Sequence, residues 1–243
     1  MPTLSITIPV FDEEKFIEAC LKKVIAADTC GFSKEIIIID DCSKDKTLSQ
    51  VQKLVSIEKT KKNAPIFKII AKETQEGKGA ALKRGFLEST GDIVIVQDAD
   101  LEYDPSEFEI MLKPFTSYDA DVVYGSRFVT NKPHRVLYFW HYVANVCLTI
   151  FSNIFTNLNL TDMETGYKAF RGDIIRKIAP HLVSKRFGFE PEITAKISKI
   201  RDVKIYEVGI SYFGRTYEEG KKIGWKDGVR ALWEIVKYNI FTP

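Results

Sequence analysis

Residues 93–105 read IVIVQDADLEYDP. The four β-branched apolar residues Ile93–Val96 have the length and composition of a buried strand. Asp98-Ala99-Asp100 follows directly, and in extended chain two residues flanking a third send their side chains to the same side. Carboxylate oxygens so placed suit Mg²⁺ or Mn²⁺, hard ions that keep several waters and also bind diphosphate oxygens. Glu102 is a candidate third ligand. Aspartates often serve a turn alone. The end of an apolar strand, ahead of Leu101-Glu102-Tyr103-Asp104-Pro105, is the setting that favours a metal site.

Upstream, strand and helix patterns alternate. Leu4–Val10 reads as a buried strand, and Asp12 as the cap of a helix whose Phe16, Ile17, Cys20, Leu21, Val24 and Ile25 share a face. Glu35–Ile39 is a second strand, Leu48–Ile57 a helix, Pro65–Ala71 a third strand and Gly79–Ser89 a helix. Such alternation predicts a parallel sheet with both faces covered. Ligands of these sheets bind beyond the carboxyl ends of the strands. The residues there are Pro9, Phe11, Asp12 and Glu13, then Asp40, Asp41, Ser43 and Asp45, then Lys72 and Glu76-Gly77-Lys78-Gly79, then Asp98, Asp100 and Glu102. Carboxylates crowded on one edge repel unless a cation sits among them.

Each cluster also has a structural reading. Asp40, Asp41, Ser43 and Asp45 suit a ribose and a base edge, while Ser43 or Asp45 also suits a helix cap. Gly77-Lys78-Gly79 opens a helix, a natural anion site with Lys78 beside it, and equally a helix-start turn. P-loop spacing and GxGxxG are both absent, which disfavours a nucleoside triphosphatase or a dehydrogenase. In the back half, Arg127, Arg215, Lys221 and Lys222 are candidates to grip phosphate, against the ordinary role of solvated surface cations.

Charge is divided unevenly over the 243 residues. Residues 1–126 hold 16 Lys/Arg against 22 Asp/Glu, and residues 127–243 hold 19 against 11, for a net charge of +2. That balance excludes a strongly basic nucleic-acid binder. An acidic front and a basic back suit two anion-handling tasks, one through a metal and one through side-chain cations. Hydrophobic residues make up 45% of the chain, enough for a substantial core. Cys20, Cys30, Cys42 and Cys147 form no CxxC pair, so free thiols in a reducing compartment are expected. MPTLSITIPV lacks a signal peptide's basic start and reads as the first strand.

From Val136 to Thr161 there is no Asp, Glu, Lys or Arg. On a helix, His141, Asn145, Thr149, Ser152, Thr156 and Asn157 make a polar stripe opposite Trp140, Val143, Ala144, Cys147, Leu148, Phe151, Ile154, Phe155 and Leu158. Amphipathic spacing of this kind predicts a helix packed on the domain or lying in a membrane interface rather than a span. Trp225, Val229, Leu232, Trp233, Val236 and Ile240 repeat at helical spacing and predict a docking face.

The ordered set IPVFDEE (8–14), DDCSKD (40–45), EGKGAALKRGF (76–86), QDADLEYDP (97–105), GSRF (125–128), METGYKAFR (163–171), FGFEPEI (187–193) and YFGRTYEEGKKIGWKDG (212–228) resembles the family 2 inverting glycosyltransferases with the GT-A fold. Within them it looks most like dolichyl-phosphate mannose synthases and bacterial polyprenyl-phosphate glycosyltransferases. The resemblance implies a single α/β domain over 1–243, Rossmann-like, with a mostly parallel central sheet and helices on both faces. Residues 1–126 form its nucleotide-sugar and metal half. Residues 127–243 form its acceptor half, with amphipathic helices at about 134–160 and 226–241. It implies that Pro9, Phe11 and Glu13 cradle the base, with Asp40, Asp41 and Lys78 also on the donor. Asp98, Asp100 and Glu102 hold the metal, and Arg127, Arg215 and Lys221 engage phosphates. Phe11 stands where the family often has Tyr, and Asp12 where it often has Asn.

The implied reaction moves a hexose from a nucleotide diphosphate sugar, of GDP-mannose or UDP-glucose type, to a polyprenyl phosphate. The QxxRW signature of processive synthases is missing. So are two long apolar segments after the domain, so a short form resting peripherally on the cytoplasmic face of a membrane, or on a membrane partner subunit, is expected. Two other readings stand beside it. A sugar or protein hydroxyl acceptor needs a positioned base, for which Asp162 or Glu164 is placed. A non-catalytic nucleotide-sugar binder has no need of both DAD carboxylates.

Overall fold

The computed structural model describes residues 1–129, 132–136, 138–186, 188–215 and 225–242. The front half follows the predicted alternation: β1 (Thr3–Val10), α1 (Ile17–Ala26), β2 (Ser33–Asp40), α2 (Thr47–Glu58), β3 (Ile66–Ala71), α3 (Lys78–Glu88) and β4 (Ile93–Val96). A 3₁₀ turn at Pro105–Glu107 leads into α4 (Phe108–Ser117). The back half adds β5 (Val122–Ser126), α5 (Phe139–Thr156), β6 (Lys168–Arg171), α6 (Gly172–Ile178), α7 (Phe189–Ser198), β7 (Ile205–Gly209) and α8 (Trp225–Val236), which runs on into a π-helical turn at Lys237–Phe241.

All seven strands form one sheet in the order β3-β2-β1-β4-β6-β5-β7. The pairing is parallel, Val10 opposite Asp40 and Thr7 opposite Val96, except at β6. β6 runs antiparallel to both β4 and β5, while β7 returns parallel to β5. A reversed strand begins where its neighbours end. The residues before β6 therefore reach the same rim as those after β4, β5 and β7.

Central strands are apolar on both faces because helices cover both. Leu4, Ile6 and Ile8 pack with Leu21, Val24 and Phe108 on one side. Val94, Val96 and Tyr124 pack with Phe86, Phe170 and Phe189 on the other. Gly85 lets α3 lie flush on β1, since a Cβ there would collide with Thr7 and Ile39.

Three sequence expectations change. Asp12 does not cap α1. It takes a left-handed φ of 51°, and its Oδ1 accepts from the Lys44 amide. Glu13 and Glu14 likewise donate their amides to Thr47 Oγ1 and Asp45 Oδ2, so residues 12–14 dock on the β2–α2 loop and the helix starts later.

The α5 stripes are split between core and exterior: Leu148 is buried, and Phe151, Phe155 and Leu158 pack against the core. Thr149, Ser152 and Thr156 are buried, whereas Trp140 is 75% and Ile154 71% exposed. The inward polar groups are satisfied locally: Thr156 Oγ1 donates to the Ser152 carbonyl, and Thr149 Oγ1 accepts from the Met163 amide. In the C-terminal helical run, Ala231, Ile235 and Tyr238 face inward. Of the predicted docking face, Val229, Leu232, Trp233 and Ile240 point out, Val236 is half-buried, and the Trp225 side chain lies outside the described residues. Both helices thus present apolar faces to the exterior.

Candidate active site

Gln97 ends the apolar run of β4 and is fully buried, its amide donating to the carbonyls of Asp98 and Tyr103. That pins the loop carrying DAD, and Leu101 takes a left-handed φ of 63° to turn it. Asp98 accepts from Lys78 Nζ at 2.8 Å. Lys78 also lies 3.5 Å from Glu190. Burial alone would lower the Lys78 ammonium, but Asp98 and Glu190 outweigh it and hold the group charged.

Asp100 accepts from Arg215 Nη2 at 2.7 Å. The same guanidinium donates through Nε to Glu102 at 3.2 Å and lies 3.6 Å from Glu13. Its Cζ stands 5.5 Å from the Phe16 ring centroid. Burial, reinforced by the charges of Asp98 and Glu102, pushes the Asp100 carboxyl well above the usual range.

Glu102 shares the Arg215 guanidinium with Asp100. It accepts from Tyr212 Oη at 2.8 Å and from the Arg215 amide at 3.0 Å. Among the described residues no three acids, histidines or cysteines converge into a ready metal cage. Glu102 anchors Arg215 beside the DAD loop. The chemistry still fits a divalent ion. Two hard carboxylates stand together at the rim, and the burial and like charge that raise Asp100 are what a cation would offset.

Arg127 follows β5 and is locked by Asp162, which is fully buried. Arg127 Nε and Nη2 donate to the two Asp162 oxygens at 2.6 and 2.7 Å, and its backbone N–H donates at 3.0 Å. The guanidinium stacks between Phe128 and Tyr212, 5.5 and 5.2 Å from their centroids. Asp162 is positioned in turn by Glu207 on β7, which accepts from the Thr161 and Asp162 amides.

The remaining predicted residues divide. Asp40 is buried, with one oxygen accepting from the Ser43 amide and the other without a partner. Asp41 is occupied: it accepts from Lys72 Nζ at 2.6 Å and from the Gly77 amide at 2.6 Å, so it shapes the turn before α3. Pro9 is buried within β1, and Phe11 and Glu13 are half-buried beyond its end. Lys221 and Lys222 lie outside the described residues.

Sequence reading assigned no role to Lys168, Glu190, Tyr103 or Tyr212. Lys168 is fully buried and donates to the Met163 and Thr165 carbonyls, which fixes the loop before β6. Tyr103 Oη accepts from the Gly166 amide. Gly166 lies hard against the DAD loop: a Cβ there would stand 2.6 Å from Asp98 Oδ2 and 3.1 Å from Lys78 Nζ. Lys168 and Glu190 sit in the quoted motifs METGYKAFR and FGFEPEI, the one signal that marked them. Glu164, in the same loop, keeps one buried oxygen unpartnered, and burial with Glu190 raises its carboxyl.

The sequence model described as Glycosyl transferase family 2 matches residues 5–179. The chain is 24% identical to a dolichol-phosphate mannosyltransferase of Pyrococcus furiosus, over 97% of this chain and 64% of that protein, so it spans just under two thirds of that relative. It is 27% identical to an undecaprenyl-phosphate mannosyltransferase of Micrococcus luteus, over 93% and 94%. It is 29% identical to a dolichyl-phosphate beta-glucosyltransferase of Dictyostelium discoideum, over 96% and 73%. Glucosyl-3-phosphoglycerate synthase from Mycobacterium tuberculosis, crystallised with Mn²⁺, uridine diphosphate and phosphoglyceric acid, superposes with a TM-score of 0.71 at 17% identity. That alignment covers 100% of this chain and 80% of the synthase, a likeness of GT-A fold. With the family's sequence model matched over most of its length and its acidic rim built on that fold, the chain belongs to glycosyl transferase family 2.

Proposed function

We propose that this chain transfers a hexose from a nucleotide diphosphate sugar to a polyprenyl phosphate, with inversion at the anomeric carbon. The observation that carries the reading is the rim itself. Asp98 pairs with Lys78 and Asp100 with Arg215, while Arg127 is held by Asp162, an arrangement suited to two phosphorylated ligands. The relatives named above as transferases to dolichol, dolichyl and undecaprenyl phosphates support the acceptor class.

The donor base and ribose take the pocket beyond β1 and β2, where Phe11, Glu13 and the unpartnered oxygen of Asp40 stand. A GDP-mannose or UDP-glucose type donor fits. Asp98 and Asp100 would hold Mg²⁺ or Mn²⁺, which would supply charge to offset that of a departing nucleoside diphosphate. Lys78 and Arg215 add fixed positive charge on either side of those carboxylates. An acceptor phosphate is already ionised near neutral pH and requires no base. Arg127, rigid between two aromatic rings and Asp162, aligns it, an orientation effect.

A hydroxyl acceptor remains a second reading on one observation. Asp162 is tied to Arg127 and is no base, but Glu164 has a raised carboxyl and an orphan oxygen. Glu164→Gln separates the two: it preserves transfer to a phosphate and abolishes transfer to a hydroxyl.

Among the described residues no helix is long and apolar enough to cross a membrane. The outward faces of α5 and α8, with Phe139, Trp140, Ile154, Trp233 and Phe241 exposed, suit peripheral contact with the cytoplasmic face of a membrane or with a membrane partner subunit. The test combines the protein with Mg²⁺, mixed polyprenyl phosphates, free sugars and a panel of nucleotide sugars, read by mass spectrometry. A glycosyl phosphoprenol extractable into organic solvent is expected. Product formed on free sugars alone would overturn the reading.

A further inference from the structure

Beside Arg127 lies a groove of about 310 Å³ between α5 and the chain segments around residues 128 and 160. Its walls are Phe128, Val129, Tyr142, Val146, Ile150 and Leu160. Two threonines complete the lining, and both hydroxyls are already bonded within the protein: Thr149 to the Met163 amide, Thr161 to Ser126 and Glu207. The groove therefore offers a ligand apolar contact rather than hydrogen bonds.

One end is defined by charge. The Phe128 ring is a wall of the groove and also one of the two rings against the Arg127 guanidinium. Tyr142 meets Phe128 edge-on at 5.1 Å, so ring and guanidinium are held together. Arg127 Nη2 reaches Asn145 on the α5 turn between Tyr142 and Val146. Farther along α5 the groove reaches Ile150, which is 55% exposed, with Ile154 exposed on the next turn. A ligand matching this arrangement has an anionic head and an apolar tail that continues away from the domain.

We propose that this groove receives the isoprene units adjacent to the acceptor phosphate, so that Arg127 takes the head and the α5 groove the start of the tail. The proposal rests on the polyprenyl-phosphate reading and extends it: the enzyme recognises the prenyl chain within the domain, not only by lying near a bilayer. A sugar or protein hydroxyl acceptor has no use for an apolar recess at this point. Volume sets the scope, since the recess admits the first few branched units and leaves the rest outside.

The test uses citronellyl phosphate, a short soluble acceptor that needs no membrane, with inorganic phosphate as the tail-less probe. The unaltered protein is expected to bind citronellyl phosphate at least roughly tenfold more tightly than inorganic phosphate by calorimetry, from apolar burial alone. Ile150→Trp and Val146→Phe fill the groove from partly exposed positions. Each should remove most of that preference and raise the acceptor KM by about tenfold or more, with the nucleotide-sugar KM unchanged. Variants that keep their melting temperature and also keep both the preference and the acceptor KM would overturn the groove assignment while leaving lipid-phosphate transfer standing. An unaltered enzyme that transfers to no prenyl phosphate would overturn the functional reading, and the groove assignment with it.

Discussion

Arg215 donates to Asp100 at 2.7 Å across 115 positions of sequence, which sets a back-half guanidinium among front-half acids. Glu102 holds the same guanidinium through Nε and the same residue's backbone amide. Arg215 is thereby the protein's own counter-charge for the DAD loop and stays at the rim where a diphosphate would lie.

Asp100→Ala should abolish transfer, by about 10³-fold or more, and eliminate Mn²⁺ binding measured by electron paramagnetic resonance. The fold should survive, since the substitution relieves repulsion with Asp98 and Glu102. Chelation should do the same to the unaltered enzyme, and Mg²⁺ should restore it. Near-normal product from Asp100→Ala would remove the metal assignment. Arg215→Gln should lower kcat by about 10²-fold, the scale of one lost charge-stabilising donor.

Arg127 and Asp162 are a buried pair, so their roles in folding and function can be separated. Arg127→Met leaves the fully buried Asp162 unpaired and should cost about 3–5 kcal/mol in urea unfolding. Adding Asp162→Asn should return much of that stability. Transfer should stay lost in both, because the double variant restores packing but not the cation. Recovery of transfer with stability would show that Arg127 is structural only.

Gly166→Ala probes the contact between the β6 approach and the DAD loop. The new Cβ would stand 2.6 Å from Asp98 Oδ2, a distance real Cβ atoms do not keep, so Asp98 or the loop must move. Displacement on that scale should lower kcat/KM by about 10²-fold with little change in melting temperature. Unchanged kinetics would mean that Asp98 tolerates relocation and does not hold the metal.

Cys20 lies on α1 beneath the same loop, its Sγ 3.7 Å from the Asp98 carbonyl. Burial, then the charges of Asp100 and Asp98, pushes its thiol up to about 12. Iodoacetamide at pH 8 should modify the exposed Cys30 and Cys147 in the folded protein and spare Cys20 until denaturant is added. The sign for stability follows: a thiol kept neutral in the fold but free to ionise when unfolded supports folding at lower pH. That support should fade as pH rises between about 9 and about 12. Rapid native modification of Cys20 would contradict the packing of α1 on the DAD loop.

The front half was legible because its strands are short apolar runs bounded by polar turns, and their boundaries shift by only a residue or two: Ser33–Asp40 against 35–39. The DAD carboxylates were legible for the same reason, as the first polar residues after such a run. The rule of looking past strand ends did not reach Gly166 and Glu164, which precede β6; only the reversed pairing of that strand brings them to the rim. The anchoring of Arg215 by Glu102 was not legible because nothing local announces that Tyr212 and Arg215, over a hundred positions away, donate to its oxygens. For α5, periodicity separated a polar stripe from an apolar one but carried no sign. Small hydroxyls that bond their own helix can be buried, and Thr149, Ser152 and Thr156 are.

Because β7 joins the sheet beside β5, the back-half residues that balance the rim leave the ribosome well after the acids they meet. A nascent chain that has folded only through β4 displays its acids with no partner from the back half, and such a half-built sheet would attract loose counter-ions from its surroundings. Docking of the final strand then delivers Arg215 and completes the charge pattern in one step. Translation that stops before residue 205 would leave a polypeptide with a well-formed acidic edge and no competence for phosphate chemistry.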